Sequence, residues 1–134
     1  MTVRIAVVKT LTFVRMLPGI EREEFYRRWC EHTRDLDLRD HPEISLNRLI
    51  LFDEGADYAG LAENHWPDQA AVDAAIAWYE TPAGIEHNAD LASFMDIANS
   101  PTVVVGHEVE VSKRGGVEWK TRPVESIPSK TGAR

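Results

Sequence analysis

The chain has 134 residues, 43% of them hydrophobic and 28% charged, with a formal net charge of -7. That is the balance of one globular domain with a modest core, not of a disordered chain. Acidic residues are spread along the chain with no basic footprint, which argues against nucleic acid or an anionic membrane surface as a partner. The single cysteine, Cys30, rules out an intramolecular disulfide, and no apolar run approaches the roughly 20 residues needed to span a bilayer. The first residues, with Arg4 and Lys9, lack the apolar core of a signal peptide, so the expected compartment is the cytoplasm.

Residues 5–15 alternate and are rich in β-branched side chains. Ile5, Val7, Lys9, Leu11 and Phe13 share one face; Ala6, Val8, Thr10, Thr12 and Val14 share the other. Both faces are largely apolar or small, as in a central strand. Pro18-Gly19 ends it. Residues 21–36 predict an amphipathic helix with Phe25, Trp29, His32 and Leu36 on one stripe and glutamates in the first turn. His41-Pro42 breaks the chain. Residues 44–52 and 59–66 read as two strands joined by the turn cluster 53–57, an antiparallel hairpin.

Asp68 is the expected N-cap of a second helix whose inward face carries Val72, Ile76 and Tyr79. Thr81-Pro82 restarts it, and Ile85, Ala89, Ala92 and Met95 continue the helical spacing, which leaves His87 facing solvent. Residues 102–112 predict a fourth strand, and residues 113–134 an extended tail outside the domain of residues 1–112. The order βαββαβ, with right-handed crossovers, makes an α+β ferredoxin-like fold: a four-stranded antiparallel sheet with both helical segments on one face. The bare face of such a sheet needs cover, so a homodimer is expected on burial grounds.

Residues 18–25, followed by Trp29 and His32, resemble the first-helix signature of EthD-like proteins. Tyr58-Ala59-Gly60-Leu61-Ala62-Glu63, Thr81-Pro82-Ala83-Gly84 and Phe94-Met95-Asp96 resemble three further motifs of that family, and together they cover residues 3–112. The resemblance implies a dimeric α+β barrel with its ligand between the sheet and its helices or loops. It implies chemistry of the kind found in aromatic-lactone degradation or polyketide cyclisation and decarboxylation, usually without metal or organic cofactor, and it sets His32 near the pocket mouth. Two positions depart from the pattern: Glu21 stands where Ser or Thr is usual, and His65 where an aromatic residue is usual.

Glu63 and His65 are two apart on a strand and share a face, with Ala62 and Asn64 on the other. A carboxylate beside an imidazole suits proton abstraction next to a carbonyl; the alternative is that Glu63 pairs with an arginine across the sheet and His65 lines a dimer seam. His32 is either a base, kept neutral by burial, or a core histidine bonded at a helix end. Asn47, Trp66, Tyr79, His107 and His41 are candidate substrate-binding residues. No two histidines have HxH or HxxxH spacing and Cys30 has no partner cysteine, so no metal is expected, and no Gly-rich phosphate loop is present. The leading expectation is a cofactor-independent isomerase, cyclase, dehydratase or decarboxylase of a small cyclic or aromatic oxygenated metabolite. His32 and His65 would be its base and acid, and Glu63 the residue that orients them. The alternatives are a binding protein for a hydrophobic metabolite and a cofactorless oxygenase.

Overall fold

The structure, a computed structural model, describes residues 7–119. Ile5 and Ala6 of the predicted first strand, and residues 120–134 of the predicted tail, lie outside them. The first strand, β1 (Val8–Val14), is central as its two-sided pattern requires. It pairs antiparallel with β3 (Gly60–Trp66) on one side and β4 (Thr102–Val104) on the other; β2 (Leu46–Leu51) lies outside β3, giving the order β2-β3-β1-β4. Cross-strand partners share a face. Thr10 opposite Asn64, and Asn47 opposite Asn64, therefore look inward to the helices, while Leu11 and Arg48, both opposite Glu63, look outward.

The first helix is longer than the pattern predicts. α1 (Arg22–His32) runs into a π-helical turn, Thr33–Asp37, and then into α2 (Leu38–Asp40). Phe25, Trp29 and His32 are buried as expected, but Leu36 is only half-buried. The wider turn inserts one residue into the 3.6-residue repeat. Thr33 is buried, and Asp37 rather than Leu36 follows His32 on the inner side. The indole of Trp29 sits over Gly60, where a Cβ would lie 2.8 Å from the ring and 2.5 Å from the Ile50 carbonyl. A glycine on β3 thus lets the helix layer reach the sheet.

α3 (Gln69–Trp78) starts at Asp68, whose side chain accepts from the Ala71 N–H at 2.9 Å. α4 (Pro82–Ala92) starts at Thr81, whose hydroxyl accepts from the Gly84 N–H at 3.2 Å, with Pro82 at its first position. Both caps are as predicted, but the inward faces are not. Val72 and Ala75 are buried while Ile76 is 61% exposed; Gly84 and His87 are buried while Ile85 is 60% exposed. The reason is the close meeting of α3 and α4. A Cβ on Gly84 would lie 2.2 Å from the Trp78 carbonyl oxygen, so α4 turns its glycine side to the end of α3 and carries His87 inward. The expectation of a solvent-facing His87 is corrected: it is 3% exposed.

The predicted fourth strand also divides. After β4 the chain leaves the sheet, and β5 (Val109–Ser112) pairs with β6 (Gly116–Trp119) in a separate two-stranded ribbon. The segment predicted as extended tail therefore begins with a hairpin turn and a strand. Phe25, Trp29, Phe94 and Met95 centre the larger core cluster, and Val8, Trp66, Val72 and Ala75 the smaller, both between sheet and helices. Among the described residues no helix is long and apolar enough to cross a membrane.

Candidate functional site

A cavity of about 110 Å³ lies between the inner sheet face and the helix layer. Its sheet side includes Thr12, Asn64 and Trp66; its helix side includes Trp29, Asp37, His41 and Tyr79. His41 follows α2 and is 5% exposed, with its Nε2 2.7 Å from the Tyr79 hydroxyl. Burial pushes the His41 imidazole down against the pull of the Asp37 charge, and burial together with the Asp37 and Asp40 charges pushes the Tyr79 phenol up. Both groups are therefore neutral near pH 7, and the imidazole tautomer sets which of them donates in the hydrogen bond they share. The rings of Trp66 and Trp78 stand edge-on to His41, with centroids 5.8 Å and 5.2 Å away. On the strands, the side-chain oxygens of Asn47 and Asn64 are buried and accept no hydrogen bond. Each such orphan acceptor costs about 1–3 kcal/mol.

A second cluster lies in the helix layer. His32 Nδ1 is 2.8 Å from Asp90 Oδ2, and His87 Nδ1 is 2.8 Å from Asp40 Oδ2. The opposite nitrogens converge on Asp37 Oδ1, His87 Nε2 at 3.0 Å and His32 Nε2 at 3.3 Å. The first contact is a hydrogen bond; the second is a looser ion-pair contact, so His32 Nε2 is buried without a hydrogen bond. Both imidazoles are 1% exposed. Burial pushes them down, but the carboxylates outweigh it and both are raised; Asp37 is pushed up by burial and drawn further down by the two histidines.

The third group is on the outer sheet face. Glu63, 7% exposed, receives His65 Nε2 at 2.7 Å, Lys9 Nζ at 3.3 Å and Arg48 Nη1 at 3.5 Å. Lys9 also pairs with Glu108, and Glu63, His107 and Glu108 line an open groove there.

The structure thus divides the residues picked out in the sequence. His41, Tyr79, Trp66 and Asn47 come together on the inner side; Glu63, His65 and His107 lie on the outer side; His32 belongs to the helix-layer cluster. The expectation of one cavity holding His32, Glu63 and His65 is corrected. The period of two that joins Glu63 to His65 also turns both away from the helices. The arginine pairing foreseen for Glu63 is present, through Arg48. Trp29 and Phe94 are core residues as expected. Sequence reasoning missed Asn64, whose signal was its place on the face opposite Glu63. It also missed Asp37, Asp40, His87 and Asp90, whose convergence depends on the π turn.

No family model matches the chain, and no curated protein matches it. Solved structures do. A dimeric protein of unknown function and ferredoxin-like fold from Bacteroides fragilis is similar over 74% of this chain and 94% of that one, at 12% identity and a TM-score of 0.54. The fold is ferredoxin-like. SnoaB, a cofactor-independent oxygenase from Streptomyces nogalater, shares this ferredoxin-like topology over 75% of the chain and 91% of its own, at 15% identity and a TM-score of 0.54. An EthD family protein from Bacillus halodurans is similar over 74% of the chain and 96% of its own, at 12% identity and a TM-score of 0.48.

Proposed function

We propose that the chain is an enzyme that moves a proton on a small cyclic oxygenated molecule held in the inner cavity. The observation that carries this reading is one arrangement. Two buried asparagine oxygens without hydrogen bonds lie on the inner sheet face, Asn64 lining the cavity and Asn47 opposite it on the next strand, and a neutral His41 hydrogen-bonded to a protonated Tyr79 faces that cavity. Neutral imidazole is the form a general base needs, and a protonated phenol is the form a proton donor needs. Asn47 and Asn64 would accept from a substrate hydroxyl and fix the ring. With its own proton on Nε2, His41 donates to the Tyr79 oxygen, so Nδ1 would take a proton beside the carbonyl while the Tyr79 O–H gives one to the carbonyl oxygen and regains it from Nε2. An apolar cavity of about 150 Å³ holds benzene; this one, at about 110 Å³, is smaller, so a ring would seat one edge in it and extend out of its open side.

The test uses phenol as a ring probe and cyclohexanone as an enolisable ring ketone. Phenol is expected to protect the wild-type chain against thermal unfolding, and Asn64→Leu to remove that protection. Solvent deuterium is expected to enter cyclohexanone, with Tyr79→Phe and His41→Gln each slowing the exchange by about 100-fold. Because the His41 imidazole is pushed down, the acid limb of the exchange rate should fall below about pH 6.5, the ordinary histidine value. Binding with no exchange identifies a binding protein instead, and the absence of both overturns the reading. Oxygen uptake during turnover would mark oxygenase chemistry, the class to which SnoaB belongs.

The outer sheet face belongs to a homodimer in this reading. Leu46, Ile50 and Val103 are 37%, 39% and 46% exposed there, around the Glu63 ion cluster. Those groups then line the seam between two copies.

A further inference from the structure

We propose that His32, Asp37 and His87 bind a divalent first-row transition-metal ion, with zinc the natural probe. One nitrogen of each histidine and one oxygen of Asp37 lie within 4.8 Å of one another. Zinc binds imidazole nitrogen and carboxylate oxygen at about 2.0–2.2 Å, so neighbouring ligand atoms of a tetrahedron stand about 3.3 Å apart. The two His–Asp37 separations, 3.0 Å and 3.3 Å, are close to that value.

The rest of each imidazole is arranged for the same purpose. A metal-bound histidine almost always donates its other ring N–H to a carboxylate or carbonyl, which fixes the tautomer and points the free lone pair at the ion. His32 does this through Nδ1 to Asp90 and His87 through Nδ1 to Asp40, both at 2.8 Å. Each Nε2 is thereby aimed at the Asp37 oxygen; His87 Nε2–H donates to it, so a bound ion would replace that proton and release it to solvent. His32 Nε2, on a side chain only 1% exposed and without a hydrogen bond, is the group a cation would satisfy. Two imidazoles with one carboxylate favour zinc and its transition-metal neighbours over magnesium or calcium, which take oxygen ligands. Three protein ligands leave a coordination position open, as in catalytic rather than structural sites. Asp37 also lines the inner cavity, so the ion would stand at that cavity's wall. The site rests on these ligand atoms and not on the proton-transfer reading above.

Zinc is titrated calorimetrically into the chelator-treated full chain, with magnesium as the control. The expected result is one zinc per chain, bound at least 100-fold more tightly than magnesium. His87→Gln and Asp37→Asn should each weaken zinc at least 100-fold, while Cys30→Ser leaves it unchanged. Asp90 is half-exposed, so Asp90→Asn should fold normally and still lose about 10–100-fold in affinity. Cobalt in place of zinc should give visible d–d absorption that disappears in His87→Gln. A wild-type chain that binds zinc no more tightly than magnesium overturns the site whatever the variants do. So does tight binding that is equally strong in His87→Gln, Asp37→Asn and Asp90→Asn. The five groups would then be a hydrogen-bonded ion chain.

Discussion

Glu63 shows how one carboxylate on a sheet can be held charged. It is nearly buried, yet hydrogen bonds from His65 and then Lys9, with the charges of Lys9 and Arg48, draw its carboxyl below the ordinary range against the cost of burial. A depressed folded pKa contributes stability that is present above the ordinary glutamate value of about 4.3 and is lost as pH falls through the folded value. Glu63→Gln removes the charge and one acceptor oxygen, so Lys9 keeps only Glu108 as a carboxylate partner and His65 loses its own. It should cost about 1–3 kcal/mol near pH 7. The variant should also lose less stability than the wild type between about pH 5 and pH 3, because the group that titrates there is gone. Thermal unfolding at a series of pH values measures both. Equal slopes for the two proteins would mean that the unfolded state holds Glu63 as well as the folded one does.

At the scale of elements, local chemistry was legible and contact between elements was not. Asp68 and Thr81-Pro82 cap their helices as written because a cap needs only its own first turn. The two sheet faces were legible because alternation is a property of the strand, and Asn64 stands opposite Glu63 for that reason. The faces of α3 and α4 were not, because Ile76 and Ile85 fit the apolar spacing as well as the residues that are actually buried. What decides is Gly84, whose missing side chain lets α4 touch the Trp78 and Tyr79 backbone. Nor did the spacing reveal the π turn that brings Asp37 between His32 and His87. Gly84→Ala tests the first point. Its Cβ would meet backbone atoms at 2.2 Å and 2.5 Å, which cannot rotate away, so α4 must shift. The expected loss is about 1–3 kcal/mol by chemical denaturation. Lost zinc affinity should accompany it, since His87 rides on α4. A variant as stable as the wild type would mean that the α3–α4 junction is looser than its geometry implies.

At the scale of the molecule, the sheet is covered by helices on one side only. Leu46, Ile50 and Val103 remain on the other, and Val111 and Val117 of the β5–β6 ribbon are 70% and 64% exposed. Contiguous apolar patches beyond a few hundred Å² are rare on monomers, and a twofold pairing of like faces is the commonest way to cover one. A pair would also surround the Glu63 cluster with protein, where its mutual hydrogen bonds replace water. Light scattering after gel filtration should therefore give about twice the 15.1 kDa chain mass. Ile50→Asp with Val103→Asp places two charges against the seam and should give monomers. The inner cavity and the helix-layer cluster face away from that seam, so the monomeric variant should keep phenol protection and zinc binding. If both are lost together with the dimer, the cavity depends on the second copy, and assembly is part of how the site is made.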